Sequence, residues 1–173
     1  MELYIERGFE QTTVADIAER AGLTARTFFR YFADKREVLF AGSASLQQHL
    51  VAALEGAPES ASPIQAVWAA LDAAASVLGH SREHARQRQT VIDANAELQE
   101  RELIKMASLS RALAAGLRRR GVPDPDASLA AEVGIAVTRV AFERWVSGPA
   151  QRELSTVMRE SFDQVIALTA AGR

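Results

Sequence analysis

Apolar residues recur along this chain at intervals of three and four, the spacing of one face of an α-helix, and strand signals are few. Residues 1–7 read as the last two turns of a helix ending at Gly8, with Leu3, Tyr4 and Ile5 as its apolar side. Val14, Ile17, Ala18 and Ala21 form the face of a second short helix. Thr13 is placed to cap it, with Asp16 at the spacing of a capping box. Gly22 follows where a helix needs a left-handed residue to stop. Thr24 caps a third helix, in which Phe28 and Phe32 repeat at i, i+4. Two short helices around a glycine turn form the helix-turn-helix plan, whose second helix enters the DNA major groove.

The pattern continues with longer helices. Asp34 caps a segment running to about Leu54, with Val38, Leu39, Leu46, Leu50 and Leu54 inward. Residues 55–62 form a linker, and Ser62-Pro63 opens a helix carrying Trp68, Leu71, Ala75 and Leu78 to Gly79. Asn95 to Arg120 reads as one helix with Leu98, Leu103, Met106, Leu109, Leu113 and Leu117 inward, ended by three arginines and Gly121. The last two helices span roughly 125–147 and 150–170, separated by Gly148-Pro149. The first of them carries two stripes. Leu129, Val133, Ala136, Val137 and Val140 make one, and Ala131, Ile135, Phe142 and Trp145 the other. A helix apolar on two sides is buried on two sides, and a second copy of the chain is the economical partner for one of them.

Placing the residues of the third helix about 100° apart sets Phe28, Phe32 and Ala25 inward and points Arg26, Arg30 and Ala33 directly away. Phe29 stands at one edge of that arc, Thr27 and Tyr31 near the other. Arginine forks onto guanine edges, and threonine and tyrosine hydrogen-bond phosphates. On pattern alone this is also an ordinary amphipathic helix with a solvated basic face.

Composition narrows the function classes. The 173 residues are 48% hydrophobic, with Ala, Leu, Glu and Arg prominent, which favours an all-α fold of one core or two small ones. The absence of cysteine excludes disulfides, thiolate zinc sites and thiol redox sensing, and fits a reducing cytoplasm. No apolar run approaches the roughly 18 residues of a membrane span and no signal peptide is visible, so no membrane partner is expected. A net charge of −2 argues against nonspecific coating of nucleic acid. Arg20, Arg26, Arg30, Lys35 and Arg36, against Asp34 and Glu37, nevertheless make a local basic patch suited to a specific binder. His80 and His84 have the spacing of a metal pair but no third ligand. With no cofactor motif either, an all-helical hydrolase is the weaker reading, and a helical ligand-binding protein without DNA binding is a third.

The run Gly8-Phe9-Glu10-Gln11-Thr12-Thr13-Val14, Asp16-Ile17-Ala18, Ala21-Gly22-Leu23, then Thr27-Phe28-Phe29, Tyr31-Phe32, Lys35 and Val38-Leu39 resembles the DNA-binding signature of the TetR family of transcriptional regulators. The resemblance implies a homodimeric, all-helical repressor released from a palindromic DNA operator by a small-molecule effector. It also implies a three-helix DNA-binding domain over residues 1–40 and a ligand-binding and dimerisation domain over residues 41–173. The family's first helix is longer than residues 1–7 supply, so the chain is expected to begin inside it. By position, the DNA contacts are Thr13, Ala25, Arg26, Thr27, Phe29, Tyr31 and Lys35, to which the exposed arc adds Arg30. The family often has tyrosine where this chain has Phe29. Phenylalanine cannot donate to a phosphate, so at most apolar contact with the backbone or a thymine methyl is expected there.

The last two helices form the family's dimer interface, which implicates Val133, Val137, Val140, Arg144, Phe162 and Val165. An effector pocket is expected inside the C-terminal bundle at Trp68, Leu71, Met106, Leu109, Thr138 and Phe142, bulky or polar positions on inward stripes. Its lining would be apolar, with Thr138 or Asn95 as polar anchors and Arg82, Arg86 and Arg88 placed to hold an anionic head group. The segments Val91–Arg101 and Ala141–Trp145 resemble the subgroup containing the mycofactocin regulator, which suggests fatty-acyl or acyl-CoA effectors.

Overall fold

A computed structural model describes residues 1–149 and 151–170. Helices α1 (Glu2–Arg7), α2 (Val14–Arg20) and α3 (Ala25–Tyr31) are followed by a 3-10 segment (Lys35–Phe40). Then come α4 (Ser43–Glu55), α5 (Pro63–Leu78), α6 (Arg82–Asp93), α7 (Ala96–Arg119), α8 (Asp124–Ser147) and α9 (Leu154–Ala170). No strand occurs among the described residues, and none of their helices is long and apolar enough to cross a membrane.

Start signals act where the sequence places them. Thr13 and Asp16 close a capping box on α2, Thr24 caps α3, and Ser62 with Gln65 closes a second capping box on α5 behind Pro63. One expected element divides. The helix expected from Asp34 to Leu54 is a 3-10 segment and α4, separated at Ala41-Gly42. Gly42 has φ +86°, a left-handed conformation that a side chain strains and that interrupts the helical hydrogen-bond ladder.

Two apolar clusters hold the chain together. The larger joins α4, α5, α7, α8 and α9 through Leu54, Val67, Leu71, Leu113, Leu117, Ala131, Trp145, Val157 and Met158. Helices α5 and α8 approach closely because Gly134 has no side chain; a Cβ there would collide with Val67. The smaller cluster brings Tyr4, Phe9, Leu39 and Phe40 against Val91, Ile92 and Leu98. The N-terminal helices are therefore seated on α6 and the start of α7 by a shared core, across the expected boundary at residue 40.

Packing corrects several faces. Ile5 and Leu103, expected inward, are 50% and 65% exposed. Ala25 also lies outside, with Phe28 alone at the centre of the α3 core. On α8 the two stripes separate. Val137 is buried in its own subunit, whereas Leu129, Ala136 and Val140 are exposed and Val133 is half-buried. Phe162 is likewise internal, its ring stacked on Trp68 at 4.8 Å. Val137 and Phe162 therefore belong to the core rather than to a surface that a partner could cover. Arg144 reaches α9, donating to Ser161 Oγ at 3.1 Å, and Val165 is half-buried.

Candidate nucleic-acid interface

The turn that presents α3 is built locally. Thr13 N donates to Asp16 Oδ2 at 2.8 Å and Asp16 N donates to Thr13 Oγ1 at 3.2 Å, fixing the start of α2. The hydrogen bond from Thr13 holds the Asp16 carboxyl below its ordinary range. At the other end Gly22, with φ +67°, turns the chain so that Leu23 N donates to Ala18 O at 2.8 Å. Thr24 Oγ1 then accepts from Thr27 N at 3.2 Å and starts α3.

Phe28 fixes the roll of α3. It is 4% exposed and packs on Phe32 at 5.2 Å between ring centroids. With that side inward, Ala25, Arg26, Phe29, Arg30 and Tyr31 are exposed and Thr27 is half-buried. Arg26 makes no hydrogen bond or ion pair with the described residues, so its guanidinium fork is open to a partner. Arg30 is held in place: its Nη2 donates to Tyr31 Oη at 3.0 Å and the guanidinium lies 4.8 Å from that ring's centroid. The expected DNA-facing residues of α3 thus share one surface, with Thr13 exposed beside them at the head of α2.

Lys35 departs from expectation. Its ammonium donates to Phe9 O at 2.8 Å, Glu10 O at 3.2 Å and Thr12 O at 3.2 Å, and it sits 4.3 Å from the Phe9 ring centroid. An ammonium has three donors, and all three are used. Lys35 thereby binds together the turn between α1 and α2. The local basic patch contracts in the same way. Arg20 pairs with Glu2 and Glu6, each at 3.0 Å, and Arg36 with Asp34 and, at 3.8 Å, Glu97. Arg26 and Arg30 remain as the cations that α3 itself presents.

The 3-10 segment after α3 is gripped from α6 and α7. Glu37 accepts hydrogen bonds from Arg101 and from Lys105, the latter at 3.0 Å. Burial alone would raise the Glu37 pKa, but the hydrogen bonds from Lys105 and Arg101 outweigh it and hold the carboxyl below its ordinary value. Arg88 of α6 donates to Leu39 O at 2.8 Å and to Glu102 at 3.1 Å, and lies 5.0 Å from the Phe40 ring centroid. The sequence pattern marks Glu37 only as a local counter-charge and not its partners Arg101 and Lys105, because partners this distant along the chain leave no local spacing.

Of the expected effector residues, Trp68, Leu71, Met106, Leu109 and Phe142 lie in or against the larger apolar cluster. Leu71 and Leu109 are buried core; Trp68, Met106, Thr138 and Phe142 are half-buried. Thr138 Oγ1 donates back to Gly134 O at 2.9 Å, so its polar group is satisfied within its own helix. Two open grooves lie elsewhere. One, of about 440 Å³, runs between α6 and α8 and is lined by Arg86, Thr90, Asp93 and Glu143 among others. The second, of about 280 Å³, lies between α1 and α6 beside Tyr4, Ile5, Arg86 and Asn95. Of the proposed head-group arginines only Arg86 lines them. Arg82 caps the end of α8 through Trp145 O at 2.7 Å, Val146 O at 3.1 Å and Gly148 O, and Arg88 is taken up by Leu39 and Glu102. Asn95 Nδ2 donates to Val91 O at 2.6 Å.

Comparison with known proteins follows these two regions. Residues 1–41 match the family described as bacterial regulatory proteins, tetR family, and residues 61–170 match the MftR C-terminal domain. The HTH-type transcriptional regulator TcmR of Streptomyces glaucescens is 41% identical over 83 residues. That stretch is 48% of this chain and 35% of TcmR, so the chain spans about a third of the relative it matches. Among solved structures, Thermus thermophilus FadR, described as a TetR-family transcriptional repressor in complex with lauroyl-CoA, superposes with a TM-score of 0.59 at 20% identity. The match covers 96% of this chain and 89% of FadR, and at that identity it speaks for the fold. A TetR/AcrR-family regulator from Thermobifida fusca gives a TM-score of 0.42 at 22% identity, covering 95% of this chain and 90% of its own.

Proposed function

This chain is a DNA-binding transcriptional regulator of the TetR family, and from that premise we propose that it is a dimeric repressor in the cytoplasm, released from its operator by an apolar acyl-type effector. The observation that carries the operator reading is the exposed arc of α3, where Arg26 is free and Arg30 and Tyr31 are pre-ordered. Arg26 takes a guanine edge, while Thr13, Thr27 and Tyr31 position the helix on phosphates. Ala25 lies close enough to the groove to allow backbone approach. Lys35 acts indirectly, by fixing the turn on which α2 rests.

Dimerisation uses the stripe of exposed Leu129, Ala136 and Val140 and half-buried Val133 on α8 with Val165 and Ile166 of α9, and Arg144 braces the two helices. Exposed apolar residues at helical spacing on adjacent helices favour burial against a second copy. Two recognition helices then have to reach half-sites about 34–36 Å apart, or a multiple of that distance. A small rotation of either subunit would break simultaneous docking. Support for an acyl effector comes from the lauroyl-CoA bound to FadR, whose fold this chain shares. Trp68, Leu71, Met106, Leu109, Thr138 and Phe142 would line the acyl site after side-chain rearrangement. Residues 1–40 serve as the DNA-binding domain and residues 41–173 as the effector and dimer domain.

A gel-shift on the DNA upstream of the chain's own gene, titrated with fatty acids and acyl-CoAs, tests the proposal. Retardation at nanomolar protein, reversed by a long-chain compound, is the expected result. Retardation unaffected by long-chain compounds but reversed by a polar or cationic drug would overturn the effector part alone.

A further inference from the structure

Phe29 is a large apolar side chain, 57% exposed at the edge of the arc that carries Arg26 and Arg30. Its position is not left over from core packing, since Phe28 and Phe32 fill that role. Its ring meets the buried Phe28 ring edge-on, at 89° and 5.5 Å between centroids. Tyr31 is also exposed, but its hydroxyl is engaged by Arg30. Phe29 has no donor or acceptor. On a surface that enters the major groove it can therefore form no hydrogen bond to a phosphate or a base edge. The apolar feature that base pairs display in that groove is the C5 methyl of thymine.

We propose that Phe29 is a specificity-determining residue that reads a thymine methyl, in a fixed register with the guanine read by Arg26. Phe29 lies three residues beyond Arg26 on α3, a rise of about 4.5 Å along the helix axis. Bases on one strand are stacked about 3.4 Å apart. The thymine therefore falls within about two base steps of the guanine, once in each half-site. This rests on α3 being the operator-reading helix, and it adds a base identity and a spacing to that reading. Tyrosine at the same position would bring a hydroxyl able to reach a phosphate, so the phenylalanine exchanges a sequence-blind contact for a sequence-dependent one.

The test starts from selection of binding sites by the full chain from a randomised duplex pool. Each thymine of the selected site is then replaced singly by deoxyuridine, which removes only the methyl group. Affinities are measured for the wild type, Phe29→Ala and Arg26→Ala. The wild type should lose about fourfold at one thymine per half-site, the equivalent of roughly 0.8 kcal/mol for a buried methyl. Phe29→Ala should bind the thymine and uracil duplexes equally. The guanine whose discrimination Arg26→Ala abolishes should lie within two steps of that thymine. Phe29 is exposed, so folding of Phe29→Ala is not in question, and its unchanged melting temperature provides the control. A methyl dependence that survives in Phe29→Ala, or no thymine with any dependence, overturns the proposal while leaving operator recognition standing. Failure of the wild type to enrich any sequence overturns operator recognition, and this proposal with it.

Discussion

Glu37 accepts a 3.0 Å hydrogen bond from Lys105, 68 positions further along the chain. Arg101 joins the same carboxylate from one turn earlier on α7. The contact joins the segment that follows α3 to the first half of α7. Arg88 makes a second crossing a few residues away, to the Leu39 carbonyl. Between these contacts and α4 stands Gly42, whose left-handed backbone separates the two elements. The 3-10 segment that follows α3 is thereby tied to α6 and α7. A shift of α6 or α7 would therefore reach the segment behind α3 without passing through α4.

Glu37→Gln is expected to weaken this tie without removing its shape. The side chain is 17% exposed and both cations are ordered on it, so the loss should be about 1–2 kcal/mol, less than for a fully buried pair. The folded-state pKa of Glu37 lies below its ordinary value of 4.5. Its stabilisation is therefore present above pH 4.5 and is lost as pH falls through the lowered value. Asp34, held low chiefly by the hydrogen bond from Arg36, contributes in the same direction. Thermal melts from pH 7 down to pH 3 should show a shallower acid loss for Glu37→Gln than for the wild type. Parallel curves would remove Glu37 from the acid response.

Lys35→Met keeps the aliphatic stem near Phe9 and deletes the ammonium. Three carbonyls in the turn between α1 and α2 lose their donor. The expected outcome is a lower melting temperature and weaker operator binding, with the salt dependence of binding nearly unchanged. A lysine that neutralises a phosphate would instead change the slope of log K against log salt by about one unit per subunit. A fall of that size with an unaltered melting temperature would restore the phosphate role.

Arg26→Ala should cost about 1–3 kcal/mol on the operator and much less on random DNA, because its free fork is placed to pair with a base edge. Competition binding with the two duplexes measures the difference. Equal weakening on both would make Arg26 a phosphate contact.

Local chemistry was readable in the sequence. The capping box of Thr13 and Asp16, the turn at Gly22 and the cap at Thr24 depend on residues a few positions apart, and together they place α2 and α3. The outward arc of α3 followed from periodicity once Phe28 was set inward, although Ala25 lies outside as well. Partners of charged groups were not readable. Lys35, Arg82 and Arg88 end on backbone carbonyls, which every residue carries and no motif marks. The break at Gly42 was hidden because apolar spacing continues through it from Val38 to Leu54. Periodicity also grouped Val137 with Val140 on α8, since the two lie within one turn. Only the packed structure separates them, burying Val137 and leaving Val140 exposed.

That pair of valines supplies the sharpest test of the dimer. Val137 is 5% exposed and Val140 is 43% exposed in the single chain. Val140→Glu places a carboxylate on a surface that is open in the monomer and closed in the proposed dimer. A charge buried there without a partner costs several kcal/mol, and association alone bears that cost. Sedimentation should then show a folded monomer with a helical circular-dichroism spectrum and weakened operator binding, since one recognition helix cannot hold two half-sites. Val137→Glu puts the same charge into the core of each subunit, so it should lower the melting temperature or prevent folding before association is at issue. If Val140→Glu remains a dimer of unchanged stability, the interface does not pass over this part of α8. If instead Val137→Glu gives a well-folded monomer, the assignment of the two valines is reversed.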